Sequence, residues 1–129
     1  AQAHGTPVVY RCSIPYWELG LDRLKPILSQ VDTLLISNQS WRYLKKLFKP
    51  NPVKIIRSVT DARFIIREAS DKYRFVVGDE VQFAECNSDT DDITEWFVAG
   101  LMHKIADGSN ILQALHHAVK FEESRLATG

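Results

Sequence analysis

Long apolar runs, a surplus of charge of one sign and closely spaced cysteines are all missing from this sequence. No apolar stretch approaches the ~20 residues that a membrane-crossing helix needs, so no such span is expected. Sixteen Lys and Arg balance sixteen Asp and Glu. No global field therefore draws the chain toward nucleic acid or a membrane surface. The two cysteines, Cys12 and Cys86, lie far apart and form no CxxC pair. Reduced thiols in an intracellular protein, cytoplasmic or organellar, are the expectation. Residues 1–7, AQAHGTP, lack the charged-then-apolar pattern of a secretory leader. There is no internal repeat and no low-complexity segment. His116 and His117 are adjacent on an expected helix and point in different directions, so they do not read as a pair of metal ligands.

What remains is ordinary globular material: 129 residues, 45% apolar and 25% charged. That suits one domain, residues 1–129, with enough length for a core. Residues 6–14 form a β-branched, aromatic run that predicts a buried strand. Trp17, Leu21, Leu24, Leu28 and Val31 have helical spacing, and Pro26 places the helix start near Asp22. Residues 32–37 predict a short strand. Asn38 or Ser40 is expected to cap the next helix. That helix sets Trp41, Leu44, Leu47 and Phe48 on one face and Arg42, Lys45, Lys46 and Lys49 on the other. Residues 51–59 read as a third strand, residues 62–68 and 72–78 as a hairpin, and residues 80–86 as a sixth strand. Two helices follow, at 92–108 and 109–127, with Gly108 ending the first and Ser109 capping the second. The order predicts an α/β fold with a parallel β-α-β-α-β core, an antiparallel extension and two C-terminal helices.

Residues 88–100, SDTDDITEWFVAG, turn abruptly from acidic to apolar. A helix N-terminus attracts anions through its free N–H groups and partial positive charge. Asp89, Asp91, Asp92 and Glu95 load that end with negative charge instead. As a local device, Asp92-x-x-Glu95 reads as a capping box. No metal is expected there, because one helix start rarely supplies enough converging oxygens. The basic face from Arg42 to Lys49, interleaved with aromatics, has a pattern that can meet nucleic acid. The charge balance argues for a solvated face instead.

Taken together, these segments resemble the C-terminal half of the PfkB/ribokinase family of sugar and nucleoside kinases. The likeness runs through HGTPVVYRCSIPYW, LSQVDTLLISNQSWRYL, VKIIRSVTDARFIIRE and DTDDITEWFVAGLMHKIADGSNILQALHHAV. It implies a ribokinase-like half-domain. It also implies altered chemistry, because the family motif Gly-Ala-Gly-Asp forms an anion hole and supplies a general base. Here the first glycine falls on Asp92, the second on Thr94 and the base on Glu95, with Trp96 after it. The family's Asn-x-x-Glu falls on Asn38-x-x-Trp41, and its Thr-x-Gly nucleotide site on Ser58-x-Thr60. The strand-end Asp and Asn fall on Tyr10 and Cys12. Trp41 and Trp96 are expected to fill former pocket space.

The resemblance thus implies a degenerate, pseudokinase-like domain that binds or assembles, with no cofactor. The alternative is an active ATP-dependent kinase that uses Mg²⁺, Glu95 as base, and a missing half or partner chain to complete the substrate site. A half-fold leaves a sheet edge open, and open edges invite pairing with a partner protein or a second copy.

Overall fold

A computed structural model describes residues 8–11, 13–86 and 93–128, with side chains described as far as residue 125. Its elements are β1 (Val9–Arg11), α1 (Ile14–Trp17), α2 (Leu21–Leu28), β2 (Thr33–Ile36), α3 (Asn38–Leu47), α4 (Pro52–Ile56), β3 (Arg63–Ala69), β4 (Lys72–Val77), β5 (Glu80–Glu85), α5 (Glu95–Ala106) and α6 (Ile111–Thr128). The sheet order is β1-β2-β3-β4-β5. The first three strands are parallel, with Tyr10 beside Leu34 and Leu34 beside Phe64. β3, β4 and β5 are antiparallel. The fold is therefore the expected α/β one, with a parallel core, an antiparallel extension and two C-terminal helices.

Several local expectations change. Residues 51–59 do not form a strand. Pro52 opens α4, and the Asn51 side chain accepts from the backbone N–H of Lys54 at 3.2 Å. A proline at the first helical turn gives up no needed hydrogen bond, and asparagine is a favoured cap. Among the described residues the sheet therefore has five strands, not six. β1 is short because Pro15 lies in the first turn of α1 directly after it. α2 starts at Leu21 and keeps Pro26 in its interior.

The caps also move by one residue. Ser37, not Asn38 or Ser40, caps α3 through the N–H of Ser40. Asn110 rather than Ser109 accepts at the start of α6, from Leu112 N–H at 2.8 Å. Gly108 does end α5, at φ +78°, a left-handed conformation that favours glycine.

Strand alternation divides the core between the two faces of the sheet. Leu34, Ile36, Phe64, Ile66 and Val76 pack with Trp17, Leu24, Leu28, Trp41, Leu44 and Ile56 from α1–α4. Leu35, Ile65, Tyr73, Phe75 and Ala84 pack with Phe97, Leu101, Leu115, Ala118 and Val119 from α5 and α6. The result is three layers, and the near-continuous apolar run of β3 follows from burial on both faces.

α5 and α6 meet closely at Gly100. A Cβ built there would lie 3.0 Å from Cβ of Phe121. That atom sits next to the backbone and cannot swing away. Gly100→Val is expected to destabilise the fold by ~2–3 kcal/mol through overpacking. Adding Phe121→Ala should return part of the loss, as read by urea unfolding of the single and double variants.

Candidate functional site

The N-terminal end of α5 is built around one buried acid. Thr94 is the N-cap, and its hydroxyl oxygen accepts from Phe97 N–H at 3.2 Å. The same hydroxyl donates to Oε2 of Glu122 through a short contact. The Thr94 backbone N–H also points at this oxygen, 3.4 Å away. Glu122, on α6, is fully buried. It accepts from the Tyr73 hydroxyl at 3.2 Å and from Arg67 Nη1 at 3.3 Å. Arg67 is itself fully buried and donates onward to the carbonyls of Ala69 and Ser70, at 3.1 and 2.9 Å. Its guanidinium lies 4.5 Å from the centre of the Tyr73 ring, which stacks on Phe97 at 4.6 Å.

Burial works against the charge of Arg67, but the field of Tyr73, Cys86 and Glu122 more than offsets it and raises its proton affinity. Burial, with Glu122 adding to it, pushes the Tyr73 hydroxyl well above its ordinary range. Burial likewise pushes the Cys86 thiol up to about 11, despite the opposing pull of Arg67. Cys86 is a free, buried thiol, as expected, and lies 3.8 Å from the Ser70 carbonyl. Cys12 lies outside the described residues.

Beside this network is a groove of about 810 Å³, lined by Val9 and Arg11 of β1 and by Glu95, Val98, Ala99 and Met102 of α5. Arg11 donates to the carbonyl of Ile93 at 2.8 Å and so ties the end of β1 to the start of α5.

The residues singled out from the sequence scatter. Glu95 is the first residue of α5, exposed on the groove wall. Because Thr94 is the cap, Glu95 does not hold the third helical position that a capping box from Asp92 requires. Asp92 lies outside the described residues. Asn38 is buried and donates to the carbonyls of Arg67 and Glu68, at 3.0 and 2.9 Å, fastening α3 to the end of β3. Thr60 is buried before the start of β3 and donates to the Leu28 carbonyl at 2.7 Å. Ser58 is exposed and donates to Ile55 of its own turn. Ser58 and Thr60 therefore stand ahead of β3, whereas Asn38 bonds to its far end.

Trp41 is buried, and its indole N–H has no partner among the described residues. Trp96 corrects the expectation of a filled pocket. It is 45% exposed, with the Arg125 guanidinium 5.3 Å from its ring centre. Among the described residues no group of three His, Cys, Asp or Glu is placed to hold a metal ion. Among the described residues no helix is long and apolar enough to cross a membrane. The sequence reading missed Arg67, Tyr73 and Glu122. Nothing in the pattern sets Arg67 and Glu122 apart, except that Arg67 directly follows the apolar run from Phe64 to Ile66.

A chain of this topology has a ribokinase-like fold, and solved kinases bear that out. Adenosine kinase from Schistosoma mansoni with 2-fluoroadenosine matches at TM-score 0.67 and 14% identity, over 95% of this chain and 42% of that one. The Methanocaldococcus jannaschii nucleoside kinase, an archaeal member of the ribokinase family, matches at 0.67 and 12% identity, over 88% and 39%. Aminoimidazole riboside kinase from Salmonella enterica matches at 0.67 and 14%, over 91% and 45%. The chain thus spans about two-fifths of the length of these kinases. Identity this low speaks for the fold alone. No protein-family model matches the sequence, and no curated protein matches it.

Two outcomes are expected of the buried network. Glu122→Ala strands the Arg67 charge and should cost ~3–5 kcal/mol. Arg67→Met with Glu122→Leu should cost clearly less than the two single changes summed, as measured by chemical denaturation. Stability should also fall as pH rises from about 9 to about 11. The unfolded thiol gives up its proton near the ordinary value of 9.0, whereas folded Cys86 holds it to about 11. Cys86→Ala should flatten that part of the pH–stability curve.

Proposed function

We propose that this chain is the C-terminal half of a PfkB/ribokinase-type carbohydrate kinase domain that has lost phosphoryl transfer and works by assembly. The observation that carries the reading is the engagement of the α5 N-terminus by the chain's own carboxylate. The cap hydroxyl and the Thr94 N–H are both turned to Glu122. Transfer of a phosphoryl group depends almost wholly on positioning and charge stabilisation by such donors. A fixed internal anion competes for the same positive helix end, and exposed Glu95 adds a second negative group beside it. No cofactor belongs to this reading.

The assembling surface is the β1 edge with its groove. In a parallel ladder the residues facing a given neighbour alternate. The Val8 carbonyl accepts from Asp32 and Thr33, so Val8 faces β2 and Val9 turns its backbone N–H and C=O to the edge that has no neighbour among the described residues. The groove beside that edge carries Arg11 and Glu95 among apolar residues. In a two-fold interface the same patch meets itself, so Arg11 of one copy would face Glu95 of the other. That self-complementarity favours a second copy of this chain as the occupant.

The alternative is a kinase that retains activity with ATP, Mg²⁺ and Glu95 as base. The placement of Glu95 as an exposed carboxylate in a groove of about 810 Å³ favours it. Calorimetry with Mg²⁺ and ATP distinguishes the two readings. No heat of binding is expected up to millimolar nucleotide, and sugar-dependent ADP release would overturn the inactive reading.

Light scattering tests the assembly. A dimer is expected whose mass falls to the monomer in Val9→Pro, which removes an edge N–H while leaving the bonds to β2. Ala99→Lys, on the groove wall, should do the same. A native chain that stays monomeric at high concentration, or variants that stay dimeric, would rule out this surface.

A further inference from the structure

A second groove lies at the opposite end of α5. It has a volume of about 620 Å³ and is lined by Lys104 of α5, by His116, His117 and Lys120 of α6, by Ser109 of the turn and by Gln82 of β5. We propose that this groove binds small phosphate-bearing anions of the pyrophosphate type.

Four basic side chains from two helices line the groove, and no acid does. The chain as a whole is neutral, so the cluster is a local concentration of positive charge. Among the described residues neither lysine takes part in an ion pair. The volume falls within the ~300–1,000 Å³ of small-molecule sites. Ser109 and Gln82 add neutral hydrogen-bonding groups on opposite walls.

The neighbours of His117 fix the sign of the pH dependence. From α5 it is faced by Lys104 and His103, with Asp107 at the helix end. Burial, then Lys104 and His103, lower its proton affinity, while Asp107 opposes them. Asp107 is in turn 3.8 Å from His103. His116 and Lys120 lie on its own helix, Gln82 across it on β5 is neutral, and the Phe121 ring stacks on it at 6.1 Å. A bound anion offsets that repulsion, so His117 holds its proton more tightly when the site is filled.

A basic surface alone does not make this site, and α3 supplies the control. Arg42, Lys45, Lys46 and Lys49 are all exposed on or beside that helix. If the attraction were merely electrostatic, both places would bind alike.

The test is an NMR titration of the full chain with inorganic pyrophosphate at low salt and fixed pH, followed by a pH titration of the His117 imidazole with and without saturating pyrophosphate. Saturable shifts are expected at residues 103–121 and around Gln82, with the His117 imidazole titrating at higher pH when pyrophosphate is bound. Lys104→Ala with Lys120→Ala should weaken binding about tenfold or more, as expected for two lost charge-assisted contacts. Lys45→Ala with Lys46→Ala should leave binding unchanged. Non-saturating shifts, equal losses in the two double variants, or a His117 titration that pyrophosphate leaves unmoved or lowers would overturn the proposal. So would binding of an oligonucleotide without binding of pyrophosphate. The readout does not depend on dimerisation or on ATP.

Discussion

A carboxylate without water must find its donors inside the protein, and Glu122 dictates much of this structure by that need. Removing a charge from solvent costs several kcal/mol unless its hydrogen bonds are replaced. The replacements here come from β3, β4 and the start of α5. One side chain of α6 thereby ties the start of α5 to β3 and β4, and Arg67 carries the network on to the Ala69 and Ser70 carbonyls. Apolar contacts alone would hold the α5–α6 pair on the sheet, but they tolerate sliding. A network with fixed hydrogen-bond directions does not. The close approach at Gly100 and the stacking of Tyr73 on Phe97 are consistent with that fixed placement.

The fold was legible where periodicity was strong. Two of the three parallel strands, the hairpin after Glu68 and both C-terminal helices follow from apolar spacing, and the basic face of α3 is solvated as read, but the third parallel strand is β3 rather than residues 51–59. The stretch from Asn51 to Val59 misled because Val53, Ile55 and Ile56 favour strands, whereas the Asn51-Pro52 start signal decided for a helix. Caps slipped by one residue because Ser37, Asn38 and Ser40 are all competent, and only the path of the chain selects among them. Asn38 is spent instead on bridging two layers. The site was harder to read. Glu122 sits in a run of charges, FEESR, and nothing local marks one of its two acids as buried.

The solved kinases are more than twice as long as the portion this chain matches. Among the described residues the sheet ends on one side in a three-residue strand with a groove beside it. The opposite edge, β5, is longer and exposes Val81 and Phe83. Lys72 and Arg74 lie over the Phe83 ring, at 4.9 and 5.1 Å, and put charge against that face. The two edges are therefore not equivalent: one is screened by cations and the other borders a groove with charges of both signs.

The three indoles are distributed unevenly through these layers. Trp17 and Trp41 are sealed between the sheet and the N-terminal helices, whereas Trp96 stands in solvent beside Arg125 on the other side. Red-shifted emission from the buried pair reports loss of one layer, and a change in quenching at Trp96 reports movement in the other. The molecule thus carries its own optical labels for whether its two halves come apart together or in sequence.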